Sequence, residues 1–384
     1  MPGLPGRRSR FLWITVGFAA VFSACGGGGG ESRVFPAALT GPLLVGNTSF
    51  ILEDFDRPMG CGEGHRRLVT EVWYPAATEA VAWPENFVSD FLLNQEEAAR
   101  ERFGEEGLLD LPTGSFRNAP VHPGAISMPI LIFSHGFSSN RFQNFTMANH
   151  LASRGFLVVA PDHTCNAMIA PLPDEPVFFS PADVPFSLCE RMADISFLIE
   201  VFTSRPPEMF EGRLDPEHIG LWGHSFGGLT VIETVKAEPR VSAMLQLAAF
   251  GFPGVPEDVD LPTMYMWGEQ DKLMHPFASL HDGIIAAMPR PKYVLDFFDT
   301  GHFAFSDLCR FAPVIAELGE GCGTGTRIGT GEPFENPDPE AMHAILNPYA
   351  TAFFRSAFSE DPESVAYLKE NHFPDRIDYR ALVE

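Results

Sequence analysis

The chain has 384 residues, 45% hydrophobic and 20% charged, enough for a large core and unlike a disordered polyelectrolyte. Its formal charge of −24 argues against nucleic acid and against electrostatic docking on anionic lipid. Six cysteines fit an exported protein.

In chain order, Arg7, Arg8 and Arg10 precede an apolar run, Phe11 to Phe22, that is too short for a comfortable membrane span. Phe22-Ser23-Ala24-Cys25 then resembles a bacterial lipobox, which implies that Cys25 is lipidated, with plain secretion as the alternative. Residues 1–25 are therefore read as a signal peptide and 26–45, with their glycine run, as a flexible tether. Residues 46–384 are read as one domain with insertions near 83–125, 163–188 and 306–338.

Leu68 to Tyr74 reads as an early strand, and Gln95 to Arg102 as a charged helical piece. Pro129 to Ser134 is a short apolar run of the kind a fully buried parallel strand needs. A helix is expected over Asn144 to Ser153, a strand over Phe156 to Ala160, and an amphipathic helix over Glu190 to Phe202. Ile219 to Trp222, Ala243 to Leu247, Thr263 to Trp267 and Tyr293 to Phe298 read as further strands, the last of them closing the series. Helices are expected over Pro276 to Ala287, Pro339 to Phe358 and Pro362 to Glu370. Alternating strands and helices imply an α/β fold, a mostly parallel sheet with helices on both faces. Cys309 with Cys322 is the first disulfide expectation and Cys165 with Cys189 the second, which leaves Cys61 over.

Gly223-His224-Ser225-Phe226-Gly227-Gly228 lies between an apolar run and a helical pattern. Strand, sharp turn and helix with a serine at the apex make a nucleophile elbow, in which flanking glycines leave room for the tight turn. A serine hydroxyl needs a base within hydrogen-bond reach. His302, in Thr300-Gly301-His302-Phe303, fits that base, and Asp271, in Trp267-Gly268-Glu269-Gln270-Asp271, fits the orienting acid. Glu269, Asp296 and Asp299 are its rivals. The amides of Phe226 and Phe137 are the candidates for an oxyanion hole. Phe137, Phe226, Trp267 and Phe303 could line an apolar substrate pocket. His135 and His224 are read as structural, Arg191 and Asp194 as a structural pair, and Asp162-His163 as too little for a metal site.

Phe133-Ser134-His135-Gly136-Phe137, the elbow, Asp271 and Gly301-His302-Phe303 together resemble the platelet-activating-factor acetylhydrolase and dienelactone-hydrolase-like branch of the α/β-hydrolases. Glu71 to Pro75 and Arg191 to Phe197 are also similar to segments of that branch. The resemblance covers roughly residues 46 to 370. It implies a calcium-independent serine esterase that needs no cofactor and acts on small or short-chain acyl esters. A more distant similarity to cutinase-like polyester hydrolases keeps polyesterase or lipase activity as alternatives, with a non-catalytic envelope lipoprotein as the alternative of another class. Two positions depart from the resemblance. Dienelactone hydrolases carry a cysteine where this chain has Ser225. The aspartate of the eukaryotic phospholipid enzymes would fall at about Ala248, which puts phospholipid specificity in question. The implied partners are an ester substrate and, through Cys25 alone, a membrane.

Overall fold

The computed structural model describes residues 43–383, apart from 80–86, 104–111, 180–186, 250–260, 279–282, 284 and 287–289. The expected signal peptide, Cys25 and most of the tether lie outside the described residues. So does half of the helix expected over Pro276 to Ala287, of which the 3-10 turn His275–Phe277 and the helical residues 278, 283, 285 and 286 are described.

The strands are β1 (Leu44–Pro58), β2 (His65–Ala76), β3 (Phe116–Arg117), β4 (Met128–Ser134), β5 (Leu157–Pro161), β6 (Ile169–Ala170), β7 (Val177–Phe178), β8 (Leu214–His224), β9 (Ala243–Leu247), β10 (Thr263–Gly268), β11 (Lys292–Phe297), β12 (Thr324–Thr326), β13 (Pro333–Glu335) and β14 (Ile377–Leu382). The helices are α1 (Phe87–Leu92), α2 (Glu96–Phe103), α3 (Phe145–Ser153), α4 (Ser187–Ser204), α5 (Phe226–Val235), α6 (Leu308–Phe311), α7 (Pro313–Ala316), α8 (Pro339–Ser359) and α9 (Pro362–Tyr367). Ten strands form one sheet in the order β14-β11-β10-β9-β8-β4-β5-β2-β1-β3. The run from β11 to β5 is parallel, and β14, β2 and β1 pair antiparallel at its flanks.

The central strands are apolar on both faces because helices cover both. Along β4, Leu131 and Phe133 join one buried cluster with α3 and α8 residues such as Leu151 and Phe353. Ile130 and Ile132 join the other, with Ile195 and Leu198 of α4 and Val231 of α5. β5 alternates in the same way, Val158 to the first cluster and Leu157 and Val159 to the second. This two-residue period fixes the register, since a one-residue slip would exchange the two cores. The chain leaves β4 for β5 on one side and returns to β8 on the other, so the strand order reverses beside β4. Such a switch point opens a crevice at the carboxyl ends of the strands, where α/β sheets hold their ligands.

Three sequence expectations need correction. β1 begins at Leu44, inside the expected tether, and forms a long antiparallel hairpin with β2. β11 is not the last strand, because β14 adds to its edge after the C-terminal helices. Cys165 pairs with Cys61, not with Cys189, which is free and exposed; Cys309 pairs with Cys322 as expected. The Cys61–Cys165 bridge ties the β1–β2 turn to the loop after β5, across 104 residues of sequence.

Candidate active site

Ser225 stands between β8 and α5 with φ 54° and ψ −122°, a left-handed conformation that a non-glycine residue holds only when its surroundings impose it. The glycines around it impose it by close approach. A Cβ on Gly227 would overlap the Ser134 carbonyl, one on Gly223 the Gly227 backbone, and one on Gly228 the Ala249 side chain. The Ser225 amide donates to Leu247 O at 2.9 Å, and the Ser225 carbonyl receives Gly228 N–H and Leu229 N–H, so the turn is pinned from both sides. Ser225 is partly exposed at the carboxyl end of the sheet.

His302 is buried in the turn after β11, and Asp271 is buried in the turn after β10. His302 Nδ1 lies 2.7 Å from Asp271 Oδ2. A carboxylate accepts only, so Nδ1–H is the donor and Nε2 is left with the lone pair. Asp271 is held in turn by Met274 N–H on Oδ1 at 2.9 Å. Glu269, Asp296 and Asp299 do not take this place. Asp296 pairs with Arg380 at 2.5 Å, Asp299 pairs with Arg327, and Glu269 Oε2 accepts from Asp299 N–H. The His302 turn leans on residues 320–323: Phe303 N–H donates to Glu320 O at 2.7 Å, and Gly301 N–H to Asn336 Oδ1 at 2.9 Å. Cys309–Cys322 closes that support.

His224 connects the elbow to this turn. Gln143 Oε1 accepts Gly136 N–H at 2.6 Å, so its Nε2 is the group that donates to His224 Nδ1, also at 2.6 Å. His224 Nε2–H then donates to His302 O at 3.0 Å. Burial, and next the charge of His302, push the His224 pKa well below its ordinary value, so the ring is neutral and has one tautomer. The rings of His224 and His302 are 4.7 Å apart, so the residue before Ser225 packs against His302. The structural reading of His224 therefore fits its place.

The loop after β4 is fixed as closely. Arg191 Nη1 donates to His135 O at 2.7 Å and Nη2 to Gly136 O at 3.1 Å. His135 Nε2 accepts His163 N–H at 3.2 Å, leaving Nδ1–H to donate to Gly136 O at 2.7 Å. Arg191 and Asp194, read as a pair from the sequence, are not hydrogen-bonded to each other. Asp194 accepts from Arg57, Arg66 and His163. Burial would raise its pKa, but the Arg66 charge and the His163 and Arg66 hydrogen bonds hold it below the usual carboxylate range.

Behind this loop sits a second serine–histidine–aspartate line that the sequence reading missed. His163 Nδ1–H donates to Asp194 Oδ2 at 3.0 Å, and Ser134 Oγ is 3.0 Å from His163 Nε2. All three side chains are completely buried. Burial, then the Arg191 charge, lowers the His163 pKa to about 4. Asp162, beside it in sequence, is engaged by Arg141 at 2.6 Å.

Of the expected pocket residues, Phe137 is 48% exposed and meets Phe226 and Phe179 edge-on, at 6.1 and 5.0 Å between centroids. Phe303 lies edge-on to His302 at 5.1 Å. Trp267 is different: it is buried in the core, stacked on Tyr265, because β10 is covered on both faces. Phe179 was not singled out from the sequence, where a phenylalanine is one of 35.

A parallel sheet with a serine elbow at its switch point, a buried histidine–carboxylate pair past the ends of β10 and β11, and helices on both faces make the α/β-hydrolase fold. The solved ferulic acid esterase from Streptomyces cinnamoneus has this fold, with a TM-score of 0.64 and 23% identity over 86% of this chain and 93% of that one. Within the class, the chain is similar to the platelet-activating-factor acetylhydrolase branch. Residues 40–172 match the family model for platelet-activating factor acetylhydrolase, isoform II, a stretch that includes Phe137 and stops before the elbow. The platelet-activating factor acetylhydrolase of Cavia porcellus is 27% identical over 40% of this chain and 42% of its own length. A probable 1-alkyl-2-acetylglycerophosphocholine esterase of Arthroderma benhamiae is 28% identical over 30% of each chain. The chain thus matches less than half the length of either relative.

Proposed function

We propose that the protein is a carboxylic ester hydrolase that works through an acyl-enzyme on Ser225. The observation that carries this reading is the 2.7 Å bond between His302 and Asp271, which leaves His302 Nε2 as the candidate base for Ser225. Ser225 attacks the ester carbonyl while His302 takes its proton. The Phe226 and Phe137 amides stabilise the oxyanion. His302 then protonates the leaving alcohol and activates water to release the acid, with Asp271 orienting the imidazole throughout. The substrates are short-chain acyl esters, and Phe137, Phe226 and Phe303 form the apolar rim that receives them. The relatives' names support an acetyl-type ester, and the ferulic acid esterase fold makes an aromatic acyl group the second substrate to try.

The protein is exported and is held at the cell envelope by lipid on Cys25. Two disulfides support an oxidising compartment, and no described helix is long and apolar enough to cross a membrane. Mass spectrometry of the mature N-terminus tests the anchor: an acylated Cys25 supports it, and a free amine at a later residue overturns it.

The activity is tested with p-nitrophenyl butyrate on residues 31–384 and on the Ser225→Ala variant. Hydrolysis that collapses in the variant supports the reading, and hydrolysis unchanged by Ser225→Ala overturns it. A series of p-nitrophenyl acyl lengths, a feruloyl ester and a 2-acetyl phospholipid then ranks the substrates.

A further inference from the structure

Arg191 is a fully buried cation whose hydrogen bonds run to neutral oxygens: His135 O, Gly136 O and Asn166 Oδ1. The nearest carboxylate on its own helix, Asp194, is engaged by Arg57, Arg66 and His163. Burial lowers the Arg191 pKa to about 9, against the opposing pull of Asp194, so it still carries its charge near neutrality. A guanidinium kept in such a place is costly unless its position serves something.

Its contacts show what that is. Two of its N–H groups take the carbonyls of His135 and Gly136. In a trans peptide the N–H points opposite to the C=O. Fixing the Gly136 carbonyl toward Arg191 therefore turns the Phe137 N–H away from it. The Gly136 N–H is already used by Gln143, so Phe137 supplies the next amide of the loop. The guanidinium carbon also lies 4.7 Å from the centroid of the Phe226 ring, the residue whose N–H begins α5. One side chain thus holds the peptide that carries the Phe137 N–H and packs on Phe226, the two residues that would donate to an oxyanion.

We infer that Arg191 is the positioning residue of the oxyanion hole: it holds the 135–137 loop and Phe226 in register and polarises the Gly136–Phe137 peptide toward the developing negative charge. This rests on the ester-hydrolase reading of Ser225. The effect belongs to the transition state, since the ground-state carbonyl needs those donors less.

The test uses Arg191→Met and Arg191→Lys, with active sites counted by fluorophosphonate so that misfolded protein does not enter the rates. The substrate is p-nitrophenyl butyrate, and the transition-state probe is a butyl trifluoromethyl ketone, which adds to the serine as a tetrahedral adduct. Arg191→Met is expected to lower kcat about 100-fold, the range for loss of one oxyanion donor, with KM changed less than about threefold. The inhibition constant of the ketone should rise by the same factor as kcat/KM falls. Arg191→Lys keeps the charge but not the fork, and should fall between the two. Should Arg191→Met fail to fold, Arg191→Lys carries the test alone, with its kcat and ketone affinity moving together. A kcat within about threefold of the wild type, a change in KM alone, or a lower kcat with unchanged ketone affinity overturns the inference. Ser225→Ala run alongside separates the two readings. If that variant hydrolyses like the wild type, the ester-hydrolase reading fails. If it is inactive while both Arg191 variants match the wild type, only the role of Arg191 fails.

Discussion

Ser225, His302 and Asp271 stand at the carboxyl end of the sheet, while behind the loop after β4 the same three residue types, Ser134, His163 and Asp194, form a hydrogen-bonded line. The histidine–carboxylate distances are close, 2.7 and 3.0 Å. Their surroundings differ. Ser225 sits on a strained, partly exposed turn at a helix N-terminus; Ser134 ends a central strand and is fully buried. Asp271 accepts from His302 and from one backbone amide, whereas Asp194 also carries two arginines. Contact among a serine, a histidine and an aspartate is therefore not enough for nucleophilic chemistry. The serine also needs exposure to a substrate and N–H donors beside it, and of the two Ser225 is the one that is partly exposed and at a helix N-terminus. The buried one ties the end of β4 to the loop after β5 and to α4.

This contrast can be broken most directly at the two serines. Ser225→Ala is expected to lower kcat for p-nitrophenyl butyrate by about 10⁴-fold or more, while Ser134→Ala stays within about tenfold. A comparable loss at both would erase the distinction. The buried aspartate comes next. Asp194→Asn takes from the buried Arg66 its nearest carboxylate and leaves it Glu190 at 3.6 Å, and thermal or denaturant unfolding should show a loss of about 3 kcal/mol.

His163 sharpens the comparison through pH. Its folded pKa is about 4 against an ordinary 6.5, so between those values the unfolded chain binds the extra proton. Stability from this group is complete above pH 6.5 and is lost as pH falls toward 4, by about 3 kcal/mol. His163→Gln should remove one proton's share of that slope in urea titrations at pH 4.5 and 7; an unchanged slope would show that His163 is not buried neutral. The smallest effect is expected at Cys189, exposed and unbridged, where Cys189→Ser should change stability by less than about 0.5 kcal/mol.

The parallel core was readable because Pro129 to Ser134 and Thr263 to Trp267 are unbroken apolar runs, and because Gly-x-Ser-x-Gly after such a run has a steric meaning. His302 and Asp271 followed from their places just past strand ends, and the structure brings them together. β1 was not readable: Glu53, Asp54, Asp56 and Arg57 interrupt its outer half, where one face meets solvent. β14 carries Asp378 and Arg380 on an edge and leaves the same weak signal. Cys61 and Cys165 are joined by the β1–β2 turn, which had not been read. Arg191 acts on backbone atoms of a loop 55 residues away, and Gln143 reaches His224, 81 residues away, and no spacing along the chain records such contacts.

The Cys309–Cys322 bridge has a consequence for the life history of the chain. It closes the segment on which the His302 turn rests, so that turn gains its full support only after two thiols have been oxidised. A freshly made chain in a reducing cytosol has this support held by hydrogen bonds alone. On the proposed export, maturation then follows the compartment more than the ribosome.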